Sequence, residues 1–81
     1  MLAIKDVSAA RKFFEYGADA GSSVAAADLA KTYDPLFLSR LGVAGLQPDL
    51  EQARNWYRKA ATLGDADSQA RLRTLSEQVS R

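Results

Sequence analysis

The strongest constraint on this chain lies between Asp49 and Gly64, a stretch that reads as one helix with both ends marked. Asp49 is placed to accept from the free backbone N–H groups of a first helical turn, and Gln52, three residues on, to reach back as in a capping box. Gly64 supplies a left-handed stop. Between them Leu50, Ala53, Trp56, Tyr57, Ala60, Ala61 and Leu63 recur at helical spacing on one broad face. Aromatic rings alternate there with alanines, a relief that receives another helix closely. Such a face serves helix packing rather than chemistry.

The remaining segments follow the same period. A first helix is predicted from Asp6 to Ala20, with Val7, Ala10, Phe13, Phe14, Gly17 and Ala18 as its apolar stripe and Gly21 closing it. Tyr16 falls off that stripe and is expected to be partly exposed. A second helix is predicted from about Ser22 to Tyr33, where Ala26, Leu29, Ala30 and Tyr33 form an i, i+3, i+4, i+7 set. Asp34-Pro35 ends this helix and opens a third, because proline disfavours helical geometry in the residue before it and suits a first helical position. The third helix carries Leu36, Phe37, Leu38 and Leu41 to Gly42, and 42–48 is a loop. After the Asp49 helix, a fifth begins around Asp65 or Asp67 and runs toward Val79, with Ala66, Ala70, Leu72, Leu75 and Val79 as its apolar positions. No stretch sustains period-two alternation, so no strands are expected.

Sliding the chain against itself gives one register, an offset of 43 residues. Asp6 falls on Asp49, Ala10 on Ala53, Arg11 on Arg54, Ala18 on Ala61, Gly21 on Gly64, Ala27 on Ala70 and Leu29 on Leu72. Phe13 and Phe14 fall on Trp56 and Tyr57, so an aromatic pair recurs at one place in the helix. A repeat of about 40 residues made of antiparallel helix pairs is the mark of an α/α solenoid, whose units bury their apolar faces by stacking.

The segment Ala53-x-x-Trp56-Tyr57-x-Lys59-Ala60-Ala61-x-x-Gly64 resembles the helix-turn portion of the Sel-one-like repeats, relatives of the tetratricopeptide repeats. Gly45-Leu46-Gln47-Pro48-Asp49 is similar to the turn that precedes that portion in the family, with leucine in place of valine. Gly21 through Leu29 to Tyr33 resembles the first helix of a unit, with Ala30 where the family usually has glycine. The resemblance covers about residues 6–75. It implies one all-α helical-repeat domain over 1–81, of about five antiparallel helices. In this division 6–20 is the second helix of one unit, 22–63 a full unit with an extra short helix, and 65–79 a capping helix. The extra helix is expected to fill the groove or edge of the pair. The unit that opens on its second helix implies a piece of a longer chain. At the far end Ala26, Ala30 and Tyr33 become Gln69, Arg73 and Ser76 at the repeat offset, a polar outer face suited to a terminal repeat. Arg71, Glu77 and Arg81 read as a solvated helix.

For function, the residues exclude more than they assign. A chain of 81 residues holds one domain with a thin core, and a net charge of +1 gives no cause to invoke nucleic acid or an anionic membrane. There is no histidine and no cysteine, which removes the commonest general base, metal ligand and nucleophile. Ser22-Ser23 and the lysines lack a neighbouring base. Asp19, Asp28, Asp34, Asp49, Asp65 and Asp67 mostly sit at predicted helix ends, where capping accounts for them. No apolar run reaches the roughly 20 residues that span a bilayer. A cysteine-free chain suits the cytoplasm or the periplasm.

We therefore expect no catalytic, cofactor or metal site, and a structural core of Phe13, Phe14, Leu29, Tyr33, Trp56, Tyr57, Ala60 and Leu72. The family resemblance implies a scaffold or adaptor module that binds another protein or another part of a parent chain. The alternative is an architectural cap of a larger bacterial protein, or a self-association domain of it as in a homodimer, that binds no external partner. Tyr16 with Arg11, Arg54 and Arg58 is the expected partner surface, because tyrosine and arginine are the residue types that most often anchor interfaces.

Overall fold

The computed structural model describes residues 7–42 and 47–79, which form five α-helices and no strand. They are α1 (Val7–Asp19), α2 (Ser23–Tyr33), α3 (Pro35–Leu41), α4 (Leu50–Thr62) and α5 (Ala66–Val79). The readings at Asp6, Gly45, Leu46 and Arg81, and those for the side chains of Val7, Ser76, Glu77 and Val79, lie outside what is described. The protein is all-α.

Capping chemistry sets the boundaries. The Ser22 hydroxyl accepts from the Ala25 N–H, the Asp34 carboxylate from Leu36 and the Asp49 carboxylate from Gln52. Each satisfies one of the N–H groups that a helix start leaves without an intrahelical partner. Asp65 does the same for α5, accepting from the Ser68 N–H at 2.8 Å and from its hydroxyl.

The α1–α2 and α4–α5 turns are the same object built twice. Gly21 and Gly64 both adopt positive φ, 96° and 108°, and each donates its N–H to a carbonyl three residues back, Ala18 and Ala61, at 3.0 Å. The next residues, Ser22 and Asp65, donate to Gly17 and Ala60, again at 3.0 Å. Every bond in one turn has its counterpart 43 residues along.

Helix α2 lies between α1 and α4, its interface with α4 is the most extensive, and α5 packs on α4. The core is made chiefly of small side chains. Ala18, Ala26, Ala27 and Ala60 form one buried cluster; Ala30, Ala53, Tyr57 and Leu75 form a second. Trp56 packs against both. Alanines at the contact bring helix axes close but bury little area apiece, so the fully buried Leu29 and Leu75, at about 1.5–3 kcal/mol each, carry a large share.

Several expectations about the core are corrected. Phe13 is 76% exposed, because the α1 face that bears it meets no other helix among the described residues. Phe14, Tyr33, Trp56 and Leu72 are half-buried, whereas Leu29, Tyr57 and Ala60 are buried. On α5 the inward positions are Ser68 and Leu75 with Arg71 and Leu72 beside them, while Ala66 and Ala70 face solvent. Helix α3 packs on α2 through Leu38 and leaves Leu36 and Leu41 exposed.

Candidate functional site

The most concentrated polar chemistry lies where four helices meet. Asp34 ends α2, caps α3 and is 2% exposed. Its Oδ2 accepts from the Tyr57 hydroxyl of α4 at 2.7 Å and from Arg71 Nε of α5 at 2.8 Å. Its Oδ1 accepts from Arg71 Nη2 at 2.8 Å and from the Leu36 N–H at 3.0 Å. Burial alone would push the carboxyl's pKa up. The bonds from Arg71 and Tyr57, the Arg71 charge and the Leu36 N–H outweigh it and hold the pKa below the ordinary value. Burial, and then the carboxylate beside it, push the Tyr57 phenol up. The bond to Asp34 raises Arg71 against the opposing effect of burial.

This network forms the floor of an open cleft of about 190 Å³, with Lys31, Phe37, Arg40 and Asp67 on its walls. Four donors fill the acceptor sites of the carboxylate, so Asp34 ties the four helices together and has no lone pair left for a ligand. Sequence reasoning read Asp34 as a cap only and Arg71 as solvated; the latter is corrected, since the Arg71 side chain is 18% exposed and paired. The signal was its spacing: Arg71 stands three residues after Ser68 and four before Leu75, on the inward face of α5. Among the described residues no group of acidic side chains is arranged to hold a metal ion, and no helix is long and apolar enough to cross a membrane.

The four residues expected to form a partner surface differ in their surroundings. Arg11 faces inward along α2: its Nε donates to Thr32 Oγ1 at 3.1 Å, its Nη2 to the Thr32 carbonyl at 2.6 Å and to the Gln47 carbonyl at 3.3 Å, and its guanidinium lies 3.9 Å from the Tyr33 ring centroid. It fastens the segment before α4. Tyr16, five residues on and about 140° around the helix, is 81% exposed. Arg54 is half-buried, with its Nε buried and unpartnered among the described residues, and Arg58 is exposed on α4.

What the structure does assemble is an apolar stripe along the outer face of α1 and the turn residue Ala20, whose N–H still donates to the Tyr16 carbonyl. Ala9, Phe13, Tyr16 and Ala20 stand at i, i+4, i+7 and i+11, and all four are exposed. Their counterparts 43 residues along are Gln52, Trp56, Lys59 and Leu63. Of these, Trp56 is covered by the corner that Ala18, Ala26 and Ala27 form, and Lys59 reaches Asp19 at 3.7 Å. Gln52 and Leu63 are exposed like their counterparts, so the contrast lies at the centre, where Trp56 and Lys59 are half-buried and Phe13 and Tyr16 are exposed. No protein-family model, curated protein or solved structure matches the chain.

Proposed function

We propose that this chain is a non-catalytic protein–protein interaction module of the helical-repeat kind, similar to a Sel-one-like unit, and that it binds through the outer face of α1. The observation that carries this reading is the bare stripe. Phe13 and Tyr16 expose most of their surface at positions whose repeat counterparts, Trp56 and Lys59, lie against a neighbouring helix pair. Exposed aromatics grouped on one face, flanked by small residues, mark a surface that another protein covers. The paired turns 43 residues apart support the repeat reading, and the saturated Asp34 network supports a structural rather than catalytic use of the buried charges.

The test is affinity capture with three baits: the wild-type chain, Phe13→Ala/Tyr16→Ala, and Arg58→Glu on α4. A protein recovered by the wild type and by Arg58→Glu, and lost with the α1 double substitution, supports the reading. Equal recovery by all three overturns it.

A further inference from the structure

We infer that the occupant of the α1 stripe is a second copy of this chain, with the two α1 helices packed antiparallel about a two-fold axis; this rests on the interaction reading above and names its partner. The stripe is self-complementary. Read from either end it runs small, large, large, small: Ala9, Phe13, Tyr16, Ala20. Packed antiparallel on itself, it seats Phe13 of each copy against Tyr16 of the other and each Ala9 against an Ala20, so bulk fills the centre and the alanines let the ends close. An isologous contact requires such a pattern, because one patch must serve as both surfaces.

The charges beside the stripe select the same orientation. Lys12 and Asp19 stand seven residues apart on the edge next to Tyr16, both exposed. Antiparallel helices bring like edges together, so Lys12 of each copy lies opposite the partner's Asp19, and the symmetry makes the pair twice. A parallel arrangement would set this edge against the partner's other edge, where Ala10 and Gly17 stand, and leave Lys12 and Asp19 without these counterparts. Asp19 is available for this: its contact with Lys59 is 3.7 Å long and leaves 66% of its side chain exposed. One helix pair is a small interface, so the dimer forms with rising concentration and weakens in high salt, which screens exposed charge pairs.

The experiment is sedimentation equilibrium from micromolar to millimolar protein at low salt, with circular dichroism confirming that each variant is folded. The wild type is expected to pass from the 8.8 kDa monomer to twice that mass. The double substitution F13D/Y16D is expected to raise the dissociation constant at least about tenfold, as loss of central aromatic anchors does. K12E leaves an acidic edge and D19K a basic one; each alone weakens the dimer, and an equimolar mixture of the two restores it as a heterodimer. A wild type that stays monomeric at 1 mM overturns the inference, as does a dimer indifferent to F13D/Y16D or a mixture no tighter than its components. A monomeric wild type that still captures another protein through Phe13 and Tyr16 removes the second copy and leaves the interaction reading standing.

Discussion

Residues 7–33 and 50–75 share a turn, bond for bond, yet treat their aromatic pairs in opposite ways. In the second segment Tyr57 is buried and Trp56 bridges both core clusters; in the first, Phe14 is half-buried and Phe13 stands in solvent. Helical period records which side chains lie toward one side of a helix. It does not record whether a neighbour is there to meet them. Trp56 has the alanine corner of α1 and α2 beneath it, whereas Phe13 has no such corner among the described residues. The arginines diverge likewise. Arg11 has three hydrogen-bond acceptors and a ring; at the repeat offset, Thr32 and Tyr33 become Leu75 and Ser76, and Arg54 keeps a buried, unpartnered Nε.

The largest effect should come from the buried aromatic. Tyr57→Ala removes a ring from the second cluster and a donor from Asp34, and should cost on the order of 3–5 kcal/mol in urea unfolding. Phe14→Ala, its half-buried counterpart, should cost clearly less; equal costs would break the contrast.

Next is the buried ion pair between Arg71 of the second segment and Asp34, which stands between the two segments. Arg71→Met leaves Asp34 buried without its cation and should cost about 3 kcal/mol. The pH dependence follows from the same groups. Asp34 is held below the ordinary carboxylate value of about 3.9, so as pH falls the unfolded chain takes up the proton first. Its stabilisation is complete above that value and is lost as pH drops through the lower native one. Tyr57 is raised above its ordinary value of about 10, so its stabilisation is complete below that and is lost as pH climbs through the native value. Urea midpoints measured against pH should show a smaller acid limb in Asp34→Asn, with Asp65 supplying part of what remains, and a smaller alkaline limb in Tyr57→Phe.

A smaller effect separates the two helix crossings. A Cβ added at Gly17 would stand 2.8 Å from the Ala25 Cβ, an atom fixed to its own backbone, so the helices themselves would have to shift. Gly17→Ala should cost about 1–3 kcal/mol. The corresponding pair in the second segment is Ala60 and Ser68, both buried, so α4 and α5 already accommodate the methyl that α1 and α2 cannot. The smallest effect is Phe13→Ala, expected to change monomer stability by less than about 0.5 kcal/mol because so little of the ring is covered. A cost near that of Tyr57→Ala would mean that Phe13 is a core residue after all.

Much of the architecture was legible in residue order. The Ser22, Asp34 and Asp49 caps, the Pro35 start and the Gly21 and Gly64 stops are local chemistry, decided within a few residues. The Asp34–Arg71 pair was not legible, because 37 residues separate its members and each has a sufficient local explanation, a cap and a solvated helix. Phe13 was misplaced for a related reason: burial is a property of two surfaces, and only one of them was in view. The α1 stripe could have been read from Ala9, Phe13, Tyr16 and Ala20 at helical spacing. It was hidden because Phe13 was counted with Phe14 in a single face.

Asp34 also bears on how the molecule comes apart. One residue ends α2 through its backbone N–H, and through its side chain caps α3 and anchors α4 and α5, so fraying any one of these helices at that junction disturbs the other three. Amide exchange near the junction should therefore report a single cooperative opening of α2 to α5, with α1, which reaches the rest mainly through α2, free to detach at lower free energy.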